Sequence, residues 1–323
     1  MRQALIKQFL AAEGRYVSGA ELASRLGVSR NAVWKQVESL RDLGYSIEAV
    51  PRKGYRLVER PDRLYPWELG AVLTTERFGR HIEYHESIGS TNERAKALGV
   101  AGKPEGCIVV AEEQTAGRGR LGRSWISPFA EGLFVSLLLR PPFRPWEAPK
   151  LTLLSAVAVQ RAISEVCGLE SKIKWPNDLE LRGKKVCGIL VEMGMEMDAV
   201  SYVVVGIGIN ANLRVDVLPD DVRERATSLR HELGRPVDRV ALLASLLSYF
   251  ERLYDQALGD GFRTVLELNR RLSSTLGRRI RVLTARDEWE GVAVDIDHNG
   301  ALLVRRDDGS VQAVHSGEVS IRA

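Results

Sequence analysis

Seven residues in the middle of the chain, 117–123, have the sequence GRGRLGR. Apolar runs at 107–113 and 132–139 flank them and predict two β-strands. Glycine lets the backbone bend freely and approach a ligand closely. Arginine stays charged, and its guanidinium can donate two parallel hydrogen bonds to a carboxylate or phosphate. The segment therefore predicts a loop that binds an anion and becomes ordered when the anion neutralises it. A solvated basic loop is the alternative, and the aromatic Trp125 at its end favours the binding role.

The glycines of this segment also match G-x-G-x-x-G, at Gly117, Gly119 and Gly122. A dinucleotide-binding fingerprint must open a helix, but here Pro128 and a second strand-like run follow. No acidic residue lies about 20 positions further on, where that fingerprint needs one. A phosphate loop of the Walker type is excluded because no GK[ST] completes it.

Positive charge is concentrated at the start of the chain. Residues 1–60 contain 11 Lys/Arg and 6 Asp/Glu, a net charge of +5, whereas residues 61–323 contain 35 and 36, a net charge of −1. A small basic module on a near-neutral body predicts an anionic partner for that module, most simply a nucleic acid.

The basic module has the pattern of a helix-turn-helix followed by a hairpin. Helical spacing predicts three helices, and Ser18 and Ser29 are the expected N-caps of the second and third. After Gly44 a period of two predicts a β-hairpin with a basic tip. The combination resembles the winged-helix fold. The residues expected on DNA are Arg30, Asn31 and Lys35 in the major groove and Arg52 and Lys53 on phosphate. A module that binds protein is the alternative, and the polar stretch 60–66 predicts a linker.

Further motifs follow in the central part of the chain. Ser90 and Glu93 fit the S-x-x-E capping box and would open a helix over 91–98, and a role in ligand binding is equally open. Asn177 and Asp178 lie in a predicted turn between two strands, where both residue types are common for structural reasons alone.

Two apolar strands complete this region, at 184–192 and 202–209. Lys185 lies at the start of the first strand. Glycines inside the second, Gly206 and Gly208, indicate close approach by a ligand.

Composition excludes several classes of protein. Three widely spaced cysteines, Cys107, Cys167 and Cys187, form no C-x-x-C pair, which argues against a disulfide framework or a cysteine zinc site and indicates a reducing cytoplasm. No apolar run approaches the roughly 18–20 residues that span a bilayer, and the N-terminus lacks a signal-peptide pattern. We expect a cytoplasmic protein with no membrane partner and no metal site built from its own side chains.

Four strings in series, GRGRLGRSW, KWPNDL, GKKVCGILVE and GIGIN, resemble those of biotin–protein ligases. With the basic module, the chain resembles bifunctional biotin ligases and biotin-operon repressors of the BirA type along nearly its whole length. The resemblance implies an α+β multidomain fold. Its domains would be a winged helix-turn-helix at 1–62, a class II synthetase-like ligase domain with a central mixed β-sheet and helices at 66–274, and an SH3-like β-barrel at 275–323.

The implied reaction has two steps. The biotin carboxylate attacks the α-phosphate of ATP, with Mg²⁺, and gives biotinyl-5′-AMP and pyrophosphate. A lysine of a biotin carboxyl carrier protein domain then attacks the mixed anhydride. Because the first step joins two anions, its catalysis should consist mainly of positioning and charge neutralisation.

The resemblance also implies roles for individual residues. Ser90, Thr91 and Gln114 would hydrogen-bond the ureido ring of biotin. Arg118 and Arg120 would hold carboxylate and phosphate, and Lys185 would stabilise the charge between them. The remaining residues implied in substrate binding are Asn92, Gly117, Arg123 in support, Trp125 over the ligand or near adenine, Gly188, Gly206, and Asn210 near the phosphates. Asp178 would help the incoming lysine, and Arg322 would reach the ligand from the barrel.

Two positions depart from the family pattern. Gly89 stands where many members have an aspartate, so a supporting carboxylate is absent. His315 stands where the best-known bifunctional member has an aromatic residue, which puts an aromatic wall for adenine in doubt.

The leading hypothesis is an enzyme that is also a repressor. Biotinyl-5′-AMP would act as corepressor by ordering the loop and favouring a homodimer, which would place two winged helices on a palindromic operator upstream of biotin genes. The alternatives are a ligase whose winged helix is vestigial, a non-catalytic biotin sensor, and a lipoate ligase. Lys185 and the three arginines argue against the sensor, and the glycine–arginine loop argues against the lipoate ligase.

Overall fold

A computed structural model describes residues 1–142, 144–196, 199–283, 287–315 and 318–321. The chain divides into two compact units, Met1–Thr74 and Thr75–Ala323. No helix among the described residues has the length and apolar character needed to cross a bilayer.

The N-terminal unit is a helix-turn-helix with a hairpin. Its elements are α1 (Arg2–Ala11), α2 (Gly19–Leu26), α3 (Arg30–Asp42), β1 (Ser46–Val50), β2 (Gly54–Glu59) and α4 (Pro66–Val72). The predicted caps are confirmed, because the Ser18 side chain accepts from Glu21 N and the Ser29 side chain from Ala32 N. The apolar stripe of α3 is buried against the other helices, which leaves its polar face outward.

The predicted linker at 60–66 is wrong, because these residues belong to the N-terminal unit. Leu64 and Tyr65 are buried, and Arg60 pairs with the buried Glu68 of α4 at 2.8 Å. Helix α4 contacts α1. The polar composition of the stretch concealed the two apolar residues that anchor it.

The second unit is built on a seven-stranded mixed sheet in the order β3-β4-β5-β9-β8-β7-β6, in which only β3 and β4 pair in parallel. The strands are β3 (His81–Ile88), β4 (Cys107–Gln114), β5 (Leu133–Leu139), β6 (Lys172–Lys174), β7 (Asp178–Leu181), β8 (Lys184–Glu196) and β9 (Ala199–Ile209).

Helices flank this sheet. They are α5 (Thr91–Val100), α6 (Ala148–Cys167), α7 (Asp220–Arg223), α8 (Leu229–Leu233), α9 (Arg239–Asp260) and α10 (Arg263–Leu272). Helix α6 is buried along most of its length and packs against α9 and α10. All three cysteines are buried and free.

The chain ends in a small antiparallel sheet, the C-terminal β-domain, which corresponds to the expected SH3-like barrel. Its strands follow the order β13-β12-β11-β10-β14. They are β10 (Arg279–Leu283), β11 (Glu288–Ile296), β12 (Leu302–Arg305), β13 (Val311–Val314) and β14 (Glu318–Ile321). Turns at 297–300 and 306–309 connect β11 to β12 and β12 to β13. The exposed His315 follows β13, whereas Arg322 lies outside the described residues.

Candidate functional site

Two clefts meet at the side chains of Trp125 and Lys185, which line both of them. The small cleft, of about 50 Å³, lies between the loop 114–127, which we call the strap, and the centre of the sheet. The large cleft, of about 640 Å³, lies on the other side of Trp125.

Most of the predicted substrate residues converge on the small cleft. Those that line it are Ser90, Thr91, Asn92, Gln114, Arg118, Arg120, Trp125, Lys185, Gly188 and Gly206. Arg123, Asp178 and Asn210 line the large cleft instead. Gly117 lines neither of the two clefts. It is packed within the strap, where a Cβ would lie 2.5 Å from the Trp125 carbonyl oxygen.

The strap folds back on itself as an irregular hairpin. Gly119 N donates to Arg123 O at 2.7 Å, and Trp125 N donates to Gly117 O at 2.9 Å. A short 3₁₀ turn spans Arg120–Gly122. The strap opens no α-helix, which agrees with the exclusion of a dinucleotide fingerprint.

Glycines in the sheet make room for the indole of Trp125. A Cβ on Gly208 would lie 2.6 Å from Trp125 Nε1, and a Cβ on Gly188 would lie 2.9 Å from the same ring. The indole Nε1 is buried without a hydrogen-bond partner among the described residues. The group that closely approaches Gly188 and Gly208 is therefore the Trp125 side chain, which lines the small cleft.

A buried polar network forms one wall of the small cleft. Thr91 N donates to Gln114 Oε1 at 2.9 Å, and Ser136 Oγ lies 2.8 Å from Thr91 Oγ1 and 2.6 Å from Asn92 Oδ1. Asn92 Nδ2 donates to Glu192 Oε2 at 2.8 Å. These partners hold the amide and hydroxyl groups in fixed orientations, as a site for a polar ring requires.

Sequence reasoning missed Ser136 and Glu192. Ser136 is fully buried and is the single polar residue in β5, LFVSLLL. Because a buried hydroxyl needs a hydrogen-bond partner, a serine inside an apolar strand was the available signal. Glu192 gave no local signal, since its partners lie about a hundred positions away on α5.

The capping-box interpretation of Ser90 and Glu93 is wrong. Ser90 is the N-cap residue of α5, but its side chain makes no cap hydrogen bond. The Glu93 carboxylate instead pairs with Lys96 at 2.7 Å and with Arg118 of the strap at 2.5 Å. The hydrogen bond from Lys96, together with the charges of both cations, lowers the pKa of Glu93, so this side chain is an anion at neutral pH.

Lys185 is presented by a β-bulge. Leu179 pairs with Cys187, but the next residue, Glu180, pairs with Lys185, so Val186 is the extra residue on β8. Bulges are common beside active sites because they redirect a side chain. The Lys185 ammonium lies 2.7 Å from Asp178 Oδ1 and 5.3 Å from the centroid of the Trp125 ring.

The backbone of Lys185 is also held from outside the strand. Its N–H donates to Arg225 O at 2.8 Å, and its carbonyl accepts from Thr227 N at 2.9 Å. Asn210 belongs to the same support, because its side-chain amide donates to Thr227 O at 3.0 Å. Asn210 is therefore placed behind Lys185 rather than inside the small cleft.

Asn177 is a further residue that sequence reasoning left as a turn former. Its Oδ1 accepts from Arg120 Nη1 at 2.9 Å, and its Nδ2 donates to Ile189 O at 3.2 Å. Its backbone oxygen accepts from Ile189 N at 2.9 Å. The side chain thus ties Arg120 of the strap to the sheet.

The predicted DNA contacts lie together on the N-terminal unit. Arg30, Asn31 and Lys35 are exposed on α3, and Arg52 and Lys53 are exposed at the tip of the hairpin. Trp34 lies between them on α3, with half of its surface exposed.

We expect Gly206→Ala to destabilise the second unit by about 1–3 kcal/mol, the usual cost of overpacking. A Cβ at this position would lie 2.0 Å from Asn92 Oδ1, whose side chain is already fixed by Ser136 and Glu192. Urea unfolding measures the loss. Gly259→Ala is the matched control, because no atom lies within 4 Å of its Cβ position and alanine favours helix. Equal stability of the two variants would contradict the packing described here.

Three family models match separate parts of the chain. The helix-turn-helix domain model matches residues 2–56. The biotin/lipoate A/B protein ligase family matches residues 84–210, and the biotin protein ligase C-terminal domain matches residues 275–322. The first match covers the DNA-contact residues, and the second covers both clefts up to Asn210.

Relatives match over nearly the whole length. The bifunctional ligase/repressor BirA of Bacillus subtilis is 40% identical over 321 residues, which are 99% of this chain and 98% of that protein. The protein of the same name from Escherichia coli is 31% identical and covers 97% of this chain and 95% of its own. Among solved structures, the biotin protein ligase from Aquifex aeolicus in complex with biotin and ATP has a TM-score of 0.65 and 30% identity, over 75% of this chain and 99% of that one.

Proposed function

The chain belongs to the family of bifunctional biotin ligases and repressors, and from this premise we propose the reaction that its residues perform. It is a biotin–protein ligase that activates biotin with ATP and transfers it to a lysine of a carrier domain. One observation carries this proposal at the level of residues: Arg118, Arg120 and Lys185 surround the same small cleft as the amide network of Thr91 and Gln114.

In the first step a carboxylate oxygen of biotin forms a bond to the α-phosphorus of ATP, and pyrophosphate leaves. The two reactants repel each other, so the cations at the cleft would lower the barrier by neutralising both. We assign Arg118 and Arg120 to the carboxylate and phosphate oxygens and Lys185 to the oxygen between them. Lys185 suits this position because it borders both clefts.

The two clefts suggest where each substrate lies. The amide and hydroxyl groups of the small cleft can satisfy the N–H and C=O groups of a ureido ring, which must be paired when buried. The large cleft would take the nucleotide, with Arg123 and Asn210 at its lining. Ligand pockets usually measure about 300–1,000 Å³, so the small cleft of about 50 Å³ must widen. We infer that Trp125 and the strap move to admit biotin and then cover it.

In the second step the amine of the carrier lysine attacks the carbonyl carbon of biotinyl-5′-AMP, and AMP leaves. That amine has an ordinary pKa of about 10.4 and is mostly protonated at neutral pH. Asp178, which faces the large cleft beside Lys185, would accept the proton. The activated anhydride keeps the demand on this base low.

Mg²⁺ would enter with ATP. Among the described residues, no three His, Cys, Asp or Glu side chains converge on a metal position. Mg²⁺ commonly binds through substrate phosphates and water with one or two carboxylates. Asp178 is the carboxylate available beside Lys185, and the metal would neutralise phosphate charge there.

We further propose that biotinyl-5′-AMP is the corepressor of this chain. Three arginines lie in the strap, so an adenylate that they bind would favour the closed strap over other states. A closed strap would favour a homodimer, which would place two copies of α3 on a palindromic operator. Dimer binding doubles the phosphate contacts, and each contact steepens the salt dependence of log K by about 0.9. The free cysteines and the nucleotide substrate suit a cytoplasmic location.

The test of the ligase activity uses purified chain, ATP, Mg²⁺ and labelled biotin, with and without a carrier domain. We expect biotin-dependent release of pyrophosphate, and label on the carrier only when all components are present. Lipoate in place of biotin is the matched control, because a lipoate ligase would label its carrier with lipoate and not with biotin. Binding of biotin without any pyrophosphate release would instead identify a non-catalytic sensor.

A further inference from the structure

Trp175 connects the C-terminal β-domain to the turn that carries Asn177 and Asp178. Its indole Nε1 donates to the carbonyl oxygen of Gly300 at 3.0 Å, in the turn between β11 and β12. Its backbone N–H donates to Thr275 Oγ1 at 3.1 Å. Trp175 is only 3% exposed. Its bond to Thr275 is buried and its bond to Gly300 is partly buried, so its polar groups depend on these partners.

The turn between β11 and β12 also packs closely against helix α6. Gly300 has φ +84°, and a Cβ there would lie 2.9 Å from Leu153 Cδ1 of α6. Nearby, Arg270 Nε donates to Asp295 Oδ1 at 2.7 Å. The C-terminal β-domain therefore packs against α6, α10 and Trp175.

The other side of the Trp175 turn faces the proposed site. Asn177 Oδ1 accepts a hydrogen bond from Arg120 Nη1 at 2.9 Å, and Asp178 Oδ1 pairs with Lys185 Nζ at 2.7 Å. Two of the cations assigned to the reaction are thus held by two consecutive residues, immediately beyond the tryptophan that the β-domain anchors. No described side chain of β10 to β14 lines either cleft. The Trp175 turn contacts the β-domain on one side and two residues that line the clefts on the other.

We propose that Trp175 is a positioning residue. Through it, the packing of the C-terminal β-domain fixes the position of Asn177, and Asn177 in turn orients the guanidinium of Arg120. The inference rests on the ligase activity proposed above. It adds a role for a residue that lines neither cleft, and it predicts that a β-domain outside the clefts affects their chemistry.

The test uses the full-length chain with Trp175→Phe, which keeps an aromatic ring and removes the indole N–H. Loss of that donor removes the hydrogen bond that the partly buried Gly300 carbonyl accepts. We expect the KM for ATP in biotin-dependent pyrophosphate exchange to rise about 5- to 30-fold, which corresponds to a loss of about 1–2 kcal/mol. Trp289→Phe is the matched control, because it makes the same change in the β-domain, at a ring that packs on Arg306 and not on this turn. We expect a change below about twofold there.

A double-mutant cycle separates positioning from general destabilisation. If Trp175 acts through Asn177, then Trp175→Phe has little further effect on the KM for ATP once Asn177→Ala is present. Effects that multiply would overturn the proposal, as would ordinary kinetics in Trp175→Phe or equal losses in Trp289→Phe. Should Trp175→Phe fail to fold, Thr275→Val removes the other contact to Trp175, and the same cycle is run with it.

Hydrogen exchange supplies a readout that needs no activity. We expect Trp175→Phe to speed amide exchange in the strap and at 175–178 while residues 1–74 exchange as before. Unchanged exchange in the strap would refute the positioning role even if the wild-type chain proved inactive. An inactive wild-type chain would refute the ligase proposal alone, so the two failures are distinguishable.

Discussion

Lys185→Ala should reduce biotin-dependent pyrophosphate release by about 10²- to 10³-fold, the usual effect of removing one group that stabilises developing charge. The ammonium lies between the two clefts, 2.7 Å from Asp178, where carboxylate and α-phosphate would meet. Its removal leaves Asp178 as an anion beside two anionic substrates, so repulsion adds to the loss. The rate of pyrophosphate release under saturating ATP and biotin measures the effect.

The adjacent Lys184 provides the matched control. Its side chain is exposed and lies 3.5 Å from the Arg223 carbonyl, away from both of these clefts. Lys184→Ala should retain the wild-type rate, and urea unfolding should show that both variants fold.

We expect Arg118→Ala to lose adenylate formation as well, because it removes a guanidinium that would bind carboxylate or phosphate through two hydrogen bonds. Wild-type pyrophosphate release from Lys185→Ala or Arg118→Ala would refute the assignment.

Local elements of this protein could be predicted from sequence because their causes are local. Ser18 and Ser29 cap their helices within three residues, and Gly27 ends α2 in the left-handed conformation. The period of two in the hairpin likewise follows from the alternation of neighbouring residues. Each of these signals lies within a few consecutive residues.

Contacts between distant segments could not be predicted in this way. Asn177 binds Arg120 across 57 positions, and Asn92 binds Glu192 across 100. No periodicity encodes such pairs, because they depend on the strand order that brings β8 beside β9 and α5 over both. The same reason explains why Gly206 and Gly208 indicated a ligand, whereas the groups that approach them are Asn92 and Trp125.

The capping box shows how the site overrides a local preference. The motif at 90–93 is one in which Glu93 would satisfy a backbone N–H. In the structure two cations, Lys96 and Arg118, draw its carboxylate away. Exposed ion pairs are worth up to about 1 kcal/mol each, so two of them can compete with one additional backbone hydrogen bond, which is worth about 0.5–1.5 kcal/mol. Glu93 thus pairs with a cation of the strap and one of its own helix.

Removal of the N-terminal unit should abolish specific operator binding while adenylate formation persists. Deleting residues 1–60 removes α3 and the hairpin, and a cut after Thr74 also removes α4, which otherwise loses its packing on α1. We expect a loss of at least about 10³-fold, the smallest usual gap between specific and non-specific binding. Gel shifts with DNA from upstream of biotin genes, in the presence of biotin and ATP, measure it.

Point variants separate base contact from bulk charge in the same assay. Asn31→Ala should weaken binding to the operator and not to unrelated DNA, because base contacts carry specificity. Lys53→Ala should weaken both equally and reduce the salt slope by about 0.9. Gln8→Ala, at a partly buried position of α1 outside the predicted DNA contacts, is the control and should bind as wild type. A truncated chain that still bound operator specifically would show that α3 is not the recognition helix, whereas a full-length chain without any operator binding would leave the ligase alone as its function.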